Sequence, residues 1–224
     1  MKPVQSLQEH LFEIGCDPGA IDNDFGPKAA KAYQDALLSG VLGPDSELAA
    51  NARVVVAKLA PKRGDVFSRF GPPNGSWIDD PNCKGRIIMA ASASWERNNI
   101  RRYTLATGHS VRLHKRASGH FIAAFADLER EIRRLEGSGL PSWRPDQVQS
   151  FVMRHKMWDP KKSLSLHSSG VAIDIDPNDN AYGKKGKIAK ETPWVADLLL
   201  AWGISWGGSW KGSRDDMHFE LVQR

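Results

Sequence analysis

Two short segments near the C-terminus alternate with a period of two, and this limits the folds open to the chain. In Val171-Ala172-Ile173-Asp174-Ile175, Val171, Ile173 and Ile175 fall on one face and Asp174 on the other. In Met217-His218-Phe219-Glu220-Leu221, one face is Met217, Phe219 and Leu221, and His218 points opposite. Each strand thus keeps one face for a core and offers a polar group on the other. The segment between them predicts a helix that Thr192-Pro193 opens and Gly203 closes.

Upstream, the periodicity changes to helical. Phe121, Phe125, Leu128, Ile132 and Leu135 form one face of a helix expected over about 117–135, and 137–145 reads as a loop. Gly85 to Ala93 is apolar and reads as a strand. The first sixty residues read as three short helices. Val4, Leu7, Leu11 and Ile14 mark the first, which Gly15 stops. Pro27 opens a second that carries Ala30, Tyr33 and Leu37. Leu48, Ala52, Val55, Val56 and Leu59 mark a third, which Pro61 ends. From Pro61 to Cys83 the chain is rich in Gly and Pro with little periodicity, as a linker is. The expected organisation is a helical module over 1–60, a linker over 61–80 and a second domain over 81–224. The expected fold class is α+β: a small three-helix bundle, then a domain with a central antiparallel sheet flanked by helices.

Composition excludes several classes. With 41% hydrophobic and 25% charged residues in 224, the chain suits a globular protein. No apolar run reaches the roughly 18 residues of a membrane span, so stable membrane insertion is not expected. Met1-Lys2-Pro3-Val4-Gln5 lacks the apolar stretch of a secretory signal, so synthesis in the cytoplasm is expected. Cys16 and Cys83 lie in no Cys/His cluster and read as small buried hydrophobes. The formal charge of +5 favours anionic partners without choosing among them. No long basic run and no aromatic-plus-basic pattern marks a nucleic-acid binder.

The chemistry-bearing residues cluster late in the chain. His167 precedes Asp174 by seven positions, and Asp215 precedes His218 by three. Two histidines and a carboxylate suit a catalytic zinc with an open fourth position, and a further carboxylate beside the metal suits a general base. Spacing alone leaves the bland reading open, with His167 at a turn, Asp174 exposed and His218 a satisfied core histidine.

Two stretches add a resemblance. SLSLHSSGVAIDIDPNDN is similar to the SxHxxGxAxD motif of the zinc D-Ala-D-Ala carboxypeptidases and L-alanyl-D-glutamate endopeptidases that cut peptidoglycan. WGGSWKGSRDDMHFEL is similar to their second motif, centred on DxMHFE. The resemblance implies a Zn2+ cofactor held by His167, Asp174 and His218, with Asp215 as catalytic base and Ser165 shaping the substrate site. It implies an arginine that steadies substrate or oxyanion; Arg154 is the nearest match, with Arg112 and Arg144 as alternatives. Asp216 leaves the position of the base open by one residue, and Ser169 stands where an aromatic residue is usual. Glu220 shares the face of His218 and reads either as its support or as a solvated strand residue.

The N-terminal stretch resembles the three-helix peptidoglycan-binding domain, through Leu7-Gln8, Leu11, Gly15, Ile21-Asp22, Phe25-Gly26 and Tyr33-Gln34. Asp22 and Phe25 are the expected wall-binding residues, in a loop over 17–26, although Phe25 with Leu7, Leu11, Tyr33 and Leu37 is most simply core. A helical docking module is the alternative. Together the resemblances imply a phage endolysin: a monomer with peptidoglycan as its partner, acting on the wall after release. The expected bond is L-Ala-D-Glu. A D-Ala-D-Ala carboxypeptidase and a non-catalytic, zinc-stabilised wall binder are the competing readings.

Overall fold

A computed structural model describes residues 3–71, 76–79, 87–90, 93–159 and 161–223. Cys83 lies outside them, and Cys16 is half-buried and free. Three helices open the chain: α1 (Pro3–Glu13), α2 (Pro27–Leu38) and α3 (Glu47–Ala57). They fall where the apolar spacing places them. Pro27 occupies the first turn of α2, and the Ser46 side chain caps α3 by accepting from Ala49 N–H. The loop between α1 and α2 is organised by Gln8, which is buried. Its carboxamide donates to the Ala20 and Asp24 carbonyls and to Asp22, and accepts from the Asp22 and Asn23 amides.

The segment read as a linker is partly helical. A 3-10 turn at Arg63–Asp65 runs into α4 (Val66–Phe70), and Val66 and Phe70 are buried. These two apolar residues, four apart, give the short helix a face to bury, which outweighs the surrounding Gly and Pro. Next come β1 (Ser76–Asp79) and β2 (Ile87–Ala90), an antiparallel pair, then α5 (Ala93–Asn99). A second antiparallel pair follows, β3 (Ile100–Thr104) with β4 (Ser110–His114), and then the long helix α6 (Ser118–Gly137).

The remaining elements are β5 (Val148–Gln149), β6 (Ala172–Ile175), α7 (Lys187–Glu191), α8 (Trp194–Leu200), β7 (Ile204–Trp206) and β8 (His218–Leu221). The four strands make one antiparallel sheet in the order β5-β6-β8-β7. Val171, Ile173 and Ile175 are fully buried, as the alternation requires. Mixed helix and antiparallel sheet is the architecture the sequence implies.

The N-terminal helices do not stand apart from the sheet. α2 packs along α6, and a single apolar core runs from Leu7 and Tyr33 through Phe125 to Trp202 and Phe219. One buried carboxylate ties the parts together. Asp127 on α6 accepts from Tyr33 O–H at 3.0 Å, Arg53 Nε–H at 2.7 Å and Trp202 Nε1–H at 2.9 Å. Phe25 belongs to this core: it is 3% exposed and stacks on Trp202 at 6.0 Å between ring centroids. This corrects its reading as a wall-binding residue, because packing against α6 and Trp202 removes its ring from any ligand. Asp22 stays exposed.

The packing of α6 on the α1–α2 loop requires a residue without a side chain. A Cβ at Gly119 would lie 2.1 Å from the Phe25 carbonyl oxygen. Gly119→Ala is expected to lower stability by about 1–3 kcal/mol, the usual cost of overpacking, read as a lower melting temperature. Two buried histidines make stability depend on pH. His120 Nδ1–H donates to the Trp202 carbonyl at 2.8 Å; because a carbonyl only accepts, Nδ1 carries the proton. Burial pushes both His120 and His114 down to about 4, in His114 with help from Arg116 and Lys115. Since the folded values lie below the unfolded one, the unfolded chain binds more protons. The contribution of these two histidines to stability is therefore full above about pH 6.5 and is lost as the pH drops toward 4. His120→Asn, measured by scanning calorimetry, should flatten part of that slope.

Candidate metal centre and cleft

The register of β6 against β8 sets Asp174 directly opposite His218. His167 arrives from a 3-10 turn over Leu166–Ser169 just before β6, and Gly170 ends that turn in the left-handed region (φ +66°). A Cβ there would lie 2.7 Å from the His114 amide nitrogen, so the motif glycine is needed for both conformation and space. Ser168 fixes the turn to the preceding chain: its hydroxyl accepts from Arg154 N–H and donates to the Arg154 carbonyl.

Three buried donors converge. His167 Nε2 lies 3.2 Å from Asp174 Oδ1 and 3.2 Å from His218 Nδ1, and His218 Nδ1 lies 3.0 Å from Asp174 Oδ1. The outer nitrogens decide the tautomers. His167 Nδ1 is 2.9 Å from the Ser150 carbonyl, and His218 Nε2 is 3.2 Å from Glu220 Oε2. Each partner only accepts, so these nitrogens carry the protons and the inward ones offer lone pairs. Two lone pairs and a carboxylate oxygen then face one another with no proton between them. A cation resolves that repulsion. A tetrahedral zinc with ligands at about 2.0–2.1 Å separates them by about 3.3 Å, close to the spacing found. Among the described residues this is the only such group of His, Cys, Asp and Glu.

The electrostatics agree. Burial alone would raise the Asp174 carboxyl, but positive charge and donated hydrogen bonds from the His167 and His218 imidazoles outweigh it and hold it well below the usual carboxylate range; a cation among the three donors takes that part when both imidazoles are neutral. Burial lowers His218 against the pull of Asp174, which favours the neutral imidazole that a metal binds.

The donors open onto a cleft of about 520 Å³ whose lining includes Arg154, Lys156, Ser165, Trp210, Lys211 and Asp215. Asp215 sits at the turn before β8, where its carbonyl accepts from His218 N–H. Its Oδ1 is buried with no hydrogen-bond partner among the described residues. Burial, reinforced by the Asp174 carboxylate, pushes its carboxyl up to about 7. Asp216, the neighbouring alternative, is turned away: its carboxylate accepts from Gly186 N–H at 2.7 Å and pairs with Arg214. Arg154 Nη2 lies 3.9 Å from Asp174 Oδ2, and its guanidinium lies over the Trp158 ring at 5.3 Å. The other two arginines are engaged elsewhere, Arg112 with Glu96 and Arg144 with Glu129 and Glu136. Sequence reasoning left out Ser150, which acts through its backbone and so has no side-chain signal. It also left out Trp210, whose ring lies 5.4 Å from that of His218. Asp176, just after β6, takes a left-handed backbone conformation (φ 45°) and accepts from the Asp146 and Gln147 amides.

Residues 159–221 match a family model described as D-alanyl-D-alanine carboxypeptidase, a zinc metallopeptidase family. The chain is a zinc metallopeptidase. The matched residues contain all three donors and Asp215, and leave out the N-terminal helices, Arg63 and Arg154. No curated protein and no solved structure matches the chain. The family match supports peptidoglycan as the substrate of this peptidase. No helix among the described residues is long and apolar enough to cross a membrane. His167→Ala and His218→Ala should each lose bound zinc, counted by atomic absorption on the purified protein. Asp215→Asn should keep one zinc per chain.

Proposed function

We propose that the enzyme hydrolyses the L-Ala-D-Glu amide of the peptidoglycan stem peptide, as a phage endolysin would, with Asp215 as its general base. The carrying observation is the Asp215 carboxylate, whose buried Oδ1 has no hydrogen-bond partner among the described residues, in a cleft beside a three-donor zinc site. When bound, zinc supplies Lewis acidity toward the scissile carbonyl and a more acidic water. Asp215 takes a proton from the attacking water and later delivers it to the departing amine. A carboxyl pushed up by burial is suited to both halves of that exchange. Arg154, fixed between Asp174 and Trp158, offsets the negative charge that develops on the carbonyl oxygen.

The cleft favours an anionic substrate. Arg154, Lys156, Lys162 and Lys211 line it, and a stem peptide carries free carboxylates. Ser165 lines the same cleft, which supports a role for it in contacting the peptide. Asp22, in the exposed loop of the N-terminal helices, remains available for wall contact. The working form is a monomer that meets the wall after release.

A D-Ala-D-Ala carboxypeptidase is the second reading, and the description of the matching family favours it. Incubation of the protein with peptidoglycan and with isolated stem peptides, followed by mass spectrometry, separates the two. New N-terminal D-Glu amines support the endopeptidase; released D-Ala supports the carboxypeptidase. Wall binding without chelator-sensitive release would point to a non-catalytic binder. Asp215→Asn should lower turnover by roughly 10²–10⁴-fold, and normal cleavage by that variant would remove Asp215 from the reaction.

A further inference from the structure

Arg63 lies in the 3-10 turn between the N-terminal helices and the sheet, about a hundred residues before the family match begins, yet it reaches the metal centre. Its Nη2 donates to Glu220 Oε1, while the other oxygen of that carboxylate, Oε2, accepts from His218 Nε2 at 3.2 Å. Its guanidinium also lies over the Trp210 ring at 5.4 Å, and that ring is 5.4 Å from His218. Arg63 therefore touches two separate supports of one zinc ligand: the carboxylate that holds its outer nitrogen and the indole that lies against its ring. The Glu220 side chain is 1% exposed, so a cation close by also offsets the cost of burying its charge.

From this geometry we infer that Arg63 is a positioning residue of the zinc centre, acting through Glu220 and Trp210 to fix the orientation and tautomer of His218. A carboxylate with one oxygen on a guanidinium cannot rotate freely, so its second oxygen stays on His218 Nε2, and Nδ1 stays turned toward Asp174 and His167. Supports of this kind commonly alter metal affinity by 10- to 100-fold when removed. A guanidinium fork over an aromatic face is a geometry that lysine reproduces only in part. The inference rests on the zinc site itself and is independent of which bond the enzyme cuts. It also gives the packing of the N-terminal helices a consequence for chemistry, since their C-terminal extension supplies the residue. The chain's other end is bound to the same stretch: Gln223 N–H donates to the Pro61 carbonyl and Gln223 Nε2 to that of Lys58.

The test is zinc affinity, measured on the full chain by competition with a chromophoric chelator, without substrate. Arg63→Met should weaken zinc binding by roughly 10- to 100-fold, and Arg63→Lys should restore part of the loss. Cobalt-substituted Arg63→Met should show a shifted visible spectrum, since the ligand field reports ligand orientation. Arg69→Met is the control, because Arg69 donates to the Leu59 carbonyl and lies over Phe70, away from the donors. It should lower the melting temperature and leave zinc affinity unchanged. Glu220→Gln supplies the second variant: Arg63→Met should cost much less in that background than alone. Zinc affinity within twofold of the parent for Arg63→Met would overturn the inference. So would equal losses for the Arg63 and Arg69 variants, or full additivity of Arg63→Met with Glu220→Gln.

Discussion

The metal centre depends on one register. Asp174 and His218 face each other across β6 and β8, a pairing that sets their side chains on the same face of the sheet. A slip of one residue would turn His218 into the core and bring Phe219 or Met217 to the site. Burial of Ile173 and Phe219 on the opposite face, both fully enclosed, opposes that slip. The same hydrophobic alternation that builds the sheet therefore aims the ligands. Glu220 follows from it too: two residues beyond His218 on β8, it shares the face and reaches the ligand's outer nitrogen. His167 comes from outside the sheet, and needs Gly170 and the Ser168 hydroxyl to bring its turn against β4 and the chain at Arg154.

The second organising contact is the Asp127 carboxylate, buried among donors from α2, α3 and the Trp202 indole. A charge in that position is tolerable only when its partners are all present. It thus links the N-terminal helices to the layer behind the sheet more specifically than apolar contact alone. Phe25 and Gly119 complete the fit at the same place, through ring stacking on one side and a close backbone approach on the other. With the helices so held, the segment after them is short enough to be carried into the metal centre. A region that composition describes as a linker then has a structured part that faces the ligands.

Charge in the cleft is arranged on two levels. The inner carboxylates are each satisfied or set apart: Asp174 among imidazoles, Glu220 between His218 and Arg63, Asp216 on Gly186 and Arg214. Asp215 differs from them, with a buried oxygen that has no partner among the described residues. The outer level is cationic: Arg154, Lys156, Lys162 and Lys211 line the cleft around these carboxylates.

Periodicity and motif spacing, readable along the chain, determined the three N-terminal helices, α6, the strands β6 and β8 and the donor set, and left the base open between Asp215 and Asp216. These are local properties: alternation fixes the face of a strand residue, and helical spacing marks the apolar stripe of α6. The sequence could not decide what meets what across long separations. That Phe25 is core, that Asp127 gathers three partners, that Ser150 offers a carbonyl to His167 and that Arg63 reaches Glu220 all depend on contacts between distant segments. Such contacts leave no period in the sequence, because they arise only when the packed helices and the sheet bring their faces together in space.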